Sequence, residues 1–281
     1  METEGVEAMA EAAPEGANGG RVPSPSGRWT VDLSGTVSVV IGGSVGIGKA
    51  ISVGLAQAGS RVIATARDAA RLAETLELAA AAGGQAYAEV VDVTSAPSVL
   101  ALAETVVGHY GVPTVLVNSA GVMVAKPAFD ITPEEWDLVH STQLRGPFLT
   151  CQAFGRAMAE KGYGKIINFS STWAFTVSHG RSTYSAAKAG VSHLTAALAY
   201  EWAPLGVRVN AIAPTTTMTP AVQERLTAEP DREAYMLDRI PLGRLATPQD
   251  IVGAAMFLAS TASDFITGET ILVDGGWRTA K

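Results

Sequence analysis

Short β-branched runs alternate with longer alanine-rich stretches along most of the chain, and this predicts a doubly wound α/β fold, a parallel sheet covered by helices on both faces. Two further observations favour a single such domain over residues 31–281. No linker-like shift in composition divides that span, and no repeat recurs at a period of roughly 20 to 50 residues. The chain has 281 residues, 47% of them hydrophobic, which is enough for one large core.

The alternation starts at TVSVVI from Thr36, followed by the helical segment GIGKAISVGLAQAG and the strand RVIATA. DAARLAETLELAAAAG then reads as helix, QAYAEVVDV as strand, SAPSVLALAETVVGHYG as helix and VPTVLVN as strand. A long helical stretch from Thr132 to about Lys161 precedes the strand KIINFS, and a helix from roughly Ser182 to Trp202 precedes the strand VRVNAIA. Residues from Pro214 to about Ala246 read as irregular, after which a helix from Pro248 and the strand TILVDGG complete the pattern. Thr132-Pro133-Glu134-Glu135 and Thr247-Pro248-Gln249-Asp250 both place a hydroxyl at a helix N-cap and proline at the first helical position. Glu135 completes a capping box, and Asp250 supplies an acidic third residue.

A net charge of -7, with basic residues scattered along the chain, argues against nucleic acid and anionic lipid as partners. No apolar run approaches the roughly 20 residues of a membrane helix. The first 30 residues are rich in Glu, Ala, Gly and Pro without a periodic apolar face and read as a disordered tail. Their early glutamates, Glu2, Glu4, Glu7 and Glu11, do not fit a secretory signal. A single cysteine, Cys151, cannot form an internal disulfide, which suits the cytoplasm.

The first strand runs directly into a glycine-rich turn and then a helix, and Gly42, Ser44, Val45, Gly46, Ile47 and Gly48 make up the expected cradle. Glycines let backbone approach a pyrophosphate, and the helix N-terminus offers free N–H groups and a positive dipole end. About twenty residues on, a dinucleotide fold places the group that reads the adenosine ribose. Here the second strand ends Thr65-Ala66-Arg67, with a guanidinium where an NAD site would carry a carboxylate. That favours NADP(H) over NAD(H), Arg67 meeting the 2′-phosphate, although Val45 lacks the basic side chain that some NADP sites add. Asp92 and Val93, ending VVDV, are placed to meet the adenine.

Tyr184 and Lys188 are four apart on a predicted helix and share a face, and Ser171 ends the strand before it. An ammonium near a phenol favours the phenolate, so Tyr184 can act as acid or base near neutral pH. Ser171 can hydrogen-bond a carbonyl oxygen as negative charge develops there. In Trp173 and Phe175 the same segment offers an apolar wall, and His179 is a further candidate for the substrate pocket. His109, His140, His179 and His193 are too dispersed for a metal cluster, so no catalytic metal is expected.

Gly42, Gly46 and Gly48, then Asn118-Ser119-Ala120-Gly121, then Ser171 and Tyr184-x-x-x-Lys188 occur in the order and spacing of the short-chain dehydrogenase/reductase family, which the chain resembles over residues 33 to 278. The resemblance implies a Rossmann fold with about seven strands, Ser171, Tyr184 and Lys188 as catalytic residues, and Lys188 on the nicotinamide ribose. It implies that Asn118, Ala120 and Gly121 steady the sheet beside the cofactor, and that Ile212 and the loop with Pro214, Thr217 and Thr219 lie near the nicotinamide. It also implies a homotetramer or homodimer.

Three positions depart from the family pattern: Ile41 replaces the usual Thr, Thr215 a common Gly, and Gln143 the Asn of a proton relay through water. The expected activity is hydride transfer between NADP(H) and a ketone, aldehyde or secondary alcohol, with sugar or polyol and 3-oxoacyl compounds as substrate classes. The Gln143 departure motivates an alternative, a catalytically weak cofactor-binding scaffold or redox sensor, against which the retained Ser171, Tyr184 and Lys188 argue.

Overall fold

A computed structural model describes residues 31–228 and 230–279 of the chain; the predicted tail, residues 1–30, therefore lies outside the described residues. Seven strands form one sheet: β1 (Val37–Ile41), β2 (Arg61–Ala66), β3 (Gln85–Val90), β4 (Val115–Asn118), β5 (Gly164–Phe169), β6 (Val207–Pro214) and β7 (Thr270–Val273). Their order is β3-β2-β1-β4-β5-β6-β7, and every pairing is parallel. β1, β4 and β5 are buried along their whole length, as expected of a sheet covered on both faces.

Crossover helices α1 (Gly46–Gln57), α2 (Ala73–Ala81) and α3 (Ala96–Tyr110) connect the first strands, and α4 (Pro133–His140) and α5 (Gly146–Lys161) join β4 to β5. α6 (Ser182–Trp202) follows β5, and α9 (Pro248–Ala259) precedes β7. One apolar cluster packs Phe154 and Met158 of α5 and Leu198 of α6 on one sheet face, and a second packs Ile51 and Leu55 of α1 with Ile251 and Leu258 of α9 on the other. These are the two helix layers that the sequence alternation requires.

Two details differ from the sequence reading. The stretch from Pro214 to Ala246 is not irregular: it holds α7 (Pro220–Ala228) and α8 (Pro230–Asp238). Prolines at 214, 220, 230 and 241 cut it into pieces too short for a helical period to show. The stretch from Thr132 to Lys161 is helical throughout, yet Ser141–Arg145 is a π-turn, closed by the Gly146 N–H on the Ser141 carbonyl, with Gln143 at its centre. The capping box on α4 is present: Glu135 N–H donates to Thr132 Oγ1 at 3.2 Å and Thr132 N–H to Glu135 Oε2 at 3.1 Å.

Because the strands are parallel, their carboxyl ends lie along one edge, and strand order reverses between β1 and β4 there. A buried polar network fixes that edge. Asn118 Nδ2 donates to Asn168 Oδ1 at 2.9 Å, Thr150 Oγ1 to Asn118 Oδ1 at 2.7 Å, and Asn168 Nδ2 to Thr195 Oγ1 at 3.0 Å. β4, β5, α5 and α6 are thus tied together in one place.

Replacing Asn168 with Leu should take a partner from Asn118 Nδ2, Cys151 Sγ and Thr195 Oγ1, leaving Asn118 Nδ2 only the Cys151 sulfur at 3.4 Å. The expected loss is about 2–4 kcal/mol, read as a shift in the urea unfolding midpoint; an unshifted midpoint would show that the network does not hold the sheet.

Candidate active site

Each side chain of the candidate site comes from a strand end or from the segment that follows it. β1 passes into Gly42 and Gly43, where Gly43 N–H donates to the Thr65 carbonyl of β2 at 2.9 Å and Ser119 N–H donates back to the Ile41 carbonyl at 2.9 Å. The turn has no room for side chains. A Cβ on Gly48 would stand 2.1 Å from the Gly42 carbonyl oxygen, and one on Gly42 would stand 2.7 Å from Ala120. α1 then begins at Gly46 with no side-chain cap and no acidic residue in its first turn. Its leading N–H groups have no intrahelical partners, and nothing in that turn opposes an anion. This cradle fits a dinucleotide pyrophosphate, with Ser44 buried and Val45 exposed beside it.

Arg67 is exposed at the end of β2, and its charge reaches Asp92, which follows β3. The Asp92 carboxylate accepts from Thr94 N–H at 2.9 Å and Thr94 Oγ1 at 2.7 Å, and these bonds hold its pKa below the usual carboxylate value. Val93 is buried against Gly146 at the start of α5. Above the cradle, the Thr219 methyl would be 2.8 Å from a Cβ on Gly46, so the loop after β6 rests on the start of α1. Pro214 pairs with Val273 of β7, and Thr217 is buried with its hydroxyl on the Thr215 carbonyl.

Ser171 follows β5, its hydroxyl accepting the Trp173 N–H at 3.2 Å. Neighbouring Ser170 binds α6 through the Lys188 carbonyl at 3.1 Å and Ser192 Oγ at 2.7 Å, which brings Tyr184 and Lys188 to the strand end. Lys188 is buried, its Nζ donating to the Phe169 carbonyl at 2.5 Å and standing 5.7 Å from the centroid of the Tyr184 ring. Burial lowers its pKa to about 7.

Burial pushes the Tyr184 phenol up, while the Ser171 hydroxyl and the charge of Arg181 pull it down. The sequence reading gives that electrostatic work to the Lys188 ammonium together with an oxidised nicotinamide and does not single out Arg181. A lysine with a pKa of about 7 is only half charged near neutrality, whereas a guanidinium stays charged. Arg181 is buried and precedes Tyr184 by one helical turn, and that spacing was its available signal.

Gln143 is buried, with Nε2 donating to the Val122 carbonyl at 2.7 Å and Oε1 making no hydrogen bond. A Cβ on Gly121 would lie 2.9 Å from its Nε2, so Gln143 lies beneath the turn that follows Asn118. Trp173 is half-buried and Phe175 40% exposed. His179 is exposed on the loop before α6, apart from this cluster, next to Gly180, which packs on the backbone of Lys126. Among the described residues no three His, Cys, Asp or Glu side chains gather as a metal site would require.

The family model described as enoyl-(acyl carrier protein) reductase matches residues 42–278. The 2-dehydro-3-deoxy-D-gluconate 5-dehydrogenase of Dickeya dadantii is 37% identical over 249 residues, covering 88% of this chain and 97% of the relative. The D-threitol dehydrogenase of Mycolicibacterium smegmatis is 40% identical over 249 residues, covering 87% and 94%. A solved structure from Agrobacterium tumefaciens, described as a candidate 2-deoxy-D-gluconate 3-dehydrogenase with bound NADP, superposes with a TM-score of 0.82 at 39% identity, covering 88% of this chain and 98% of the other.

Lys188 also gives the fold a pH dependence. Its folded pKa, about 7, is below the ordinary lysine value of 10.5, so the unfolded chain binds more protons between those limits. Burial of the ammonium therefore opposes folding fully below pH 7, and the penalty fades as pH rises toward 10.5. In the protein without dinucleotide, Lys188→Met should have a higher melting temperature than wild type at pH 6, with the gap closing toward pH 10. A gap that is constant with pH would refute the buried charge.

Proposed function

The chain belongs to the short-chain dehydrogenase/reductase family, and from that premise we propose that it is an NADP(H)-dependent oxidoreductase that interconverts a secondary alcohol and a ketone on a polyol or sugar acid. The observation that carries this reading is the convergence of Ser171, Tyr184 and Lys188 at the strand edge that also holds the glycine cradle.

A nicotinamide bound here would supply the hydride chemistry; the chain's own residues would handle the proton and the substrate oxygen. Tyr184 holds the proton at its hydroxyl, giving it to a carbonyl oxygen on reduction and taking it from an alcohol on oxidation. Ser171 donates to the same oxygen and fixes its distance from the phenol. Lys188, anchored on the Phe169 carbonyl, would hold the nicotinamide ribose. Arg181 keeps positive charge near the phenol at every working pH.

Arg67 carries the proposed preference for NADP(H): it is exposed at the end of β2, where a 2′-phosphate would be met, and the related solved structure holds NADP. Asp92 and Val93 would meet the adenine, and Asn118, Ala120 and Gly121 would border the nicotinamide half. Pro214, Thr217 and Thr219 would close over it. The named relatives act on polyols and sugar acids, which supports that substrate class over 3-oxoacyl compounds. The same reading includes a homotetramer or homodimer, supported by the wholly exposed Phe129 and Phe265, and a cytoplasmic location, with no described helix long and apolar enough to cross a membrane.

A panel of polyols, aldonic acids and their keto forms, followed at the absorbance of the reduced nicotinamide with NADP(H) and NAD(H), tests the reading. At least one substrate should turn over, and Tyr184→Phe should lower kcat by about 10³-fold or more with dinucleotide binding retained. Arg67→Ala should cost NADP(H) about tenfold in kcat/KM and leave NAD(H) nearly unchanged. Binding without turnover on every substrate would sink the enzymatic reading, and equal efficiency with both dinucleotides in wild type would sink the preference.

Gln143 Oε1 is a buried acceptor without a hydrogen bond, and we assign it a place in a water-borne proton path from Lys188. Gln143→Asn, shorter by a methylene, cannot keep the bond to Val122 unchanged. It should alter kcat by several-fold, at least as much as it alters KM; an unchanged kcat would remove Gln143 from the path.

A further inference from the structure

The last described residues form a turn that touches both the segment after Ser171 and the segment after α8. Asp274 shapes it, with Oδ1 accepting Gly276 N–H at 2.9 Å and Oδ2 accepting Arg278 N–H at 2.9 Å. Gly275 and Gly276 both have positive φ, 60° and 88°, and a Cβ on either would collide with Ile240 (2.8 Å) or Pro241 (2.9 Å). Leu242 N–H donates to the Gly275 carbonyl at 3.2 Å, so the chain that returns from α8 lies directly on the turn.

Trp277 is then 4% exposed, in a cluster with Leu226 of α7, Met236 of α8, Ile240 and Leu245. Trp173 packs on this cluster, its ring edge-to-face with Trp277 at 5.5 Å and 78°. Arg239 covers the Trp277 ring at 6.0 Å, and Arg278 covers Phe175 at 5.0 Å. This cluster is separate from the two that build the sheet core. Trp173 itself is only two residues beyond Ser171, whose hydroxyl accepts its N–H.

We propose that Trp277 is a positioning residue for substrate recognition: it holds Trp173 and the α7–α8 segment as one apolar wall of the substrate cleft, so the space beside the reacting carbon is set from the C-terminal turn. The half-buried Trp173 gives its exposed ring surface to the carbon skeleton, and Trp277 supports the other side. An indole surface suits the C–H faces of a polyol or sugar-acid chain, leaving hydroxyls free for Ser171 and Tyr184. The substrate part of this inference rests on the function proposed above; the clamp on α7 and α8 does not.

The test compares Trp277→Ala and Trp277→Phe, each also in a Trp173→Leu background. Measurements are kcat and KM for the best substrate of the panel, the NADP(H) Kd by fluorescence, and the rate of tryptic cleavage after Arg239 and Arg244. Trp277→Ala should raise KM at least tenfold, with kcat and dinucleotide Kd within about threefold, and should expose the two arginines to faster cleavage. Trp277→Phe should recover most of both effects. In the Trp173→Leu background the further rise in KM on Trp277→Ala should be no more than about twofold. An unchanged KM in Trp277→Ala, or KM effects that multiply in the double variant, would overturn the proposal. If the wild type turns over nothing, the functional reading fails separately; unchanged tryptic cleavage in Trp277→Ala would then overturn the clamp as well, and faster cleavage restored by Phe would uphold it.

Discussion

Asn168 receives a bond from Asn118 across the sheet and gives one to Thr195, and this last bond, with those from Ser170 to Lys188 and Ser192, sets the height of α6 against the sheet. The placement of the proposed catalytic groups relative to one another depends on that height. Tyr184 and Lys188 belong to α6, Ser171 to the end of β5, and the glycine cradle to the end of β1, two strands away. A slip of one residue would move a side chain about 3.3 Å along a strand and turn it to the other face. Apolar packing alone resists such slips weakly, since Val, Ile and Leu fill the same space in neighbouring registers. Four amide and hydroxyl groups that must find one another in a dry interior do not tolerate them.

The same dry interior sets the charge state of the site. Lys188 is buried as a consequence of sitting under α6 on a strand carbonyl, and burial takes much of its charge at neutral pH. Two cationic residues therefore divide the work near Tyr184. Arg181 supplies charge that persists, because a guanidinium keeps its proton under burial that an ammonium does not. Lys188 supplies a group able to gain and lose a proton close to working pH. A second permanent charge in its place would leave no acid-base pair beneath the phenol.

Much of this architecture was legible in the sequence because the parts that carry the chemistry are also the most regular. Buried parallel strands must be runs of β-branched residues, the cradle must lack side chains, and a helix that presents two groups on one face must space them by four. The parts that were not legible share a different property: their structure is set by contacts distant in sequence. α7 and α8 are short, proline-bounded and half-exposed, and they are stable by packing on Trp277, some fifty residues further on. The π-turn at Gln143 leaves the apolar pattern of its helix intact, since one extra residue in a turn shifts the period only locally. Arg181 looks like a loop arginine until the fold buries it.

This division separates chemistry from recognition within one site. The proposed proton-handling groups stand on sheet-bound elements braced by buried hydrogen bonds, where the geometry of proton transfer tolerates little displacement. The candidate recognition surface is built from α7, α8 and the C-terminal turn, which share an apolar cluster of their own outside the two sheet cores. The two regions meet at Thr219, whose methyl rests on Gly46 at the start of α1, and at Trp173, whose N–H rests on Ser171. Through the first contact, a change at the root of α7 reaches the glycine cradle; through the second, a change in the wall reaches the Ser171 hydroxyl. On the function proposed above, residues of α7 and α8 that touch neither point can vary in size and polarity without moving Ser171, Tyr184 or Lys188, so one mechanism can serve alcohols of different shape.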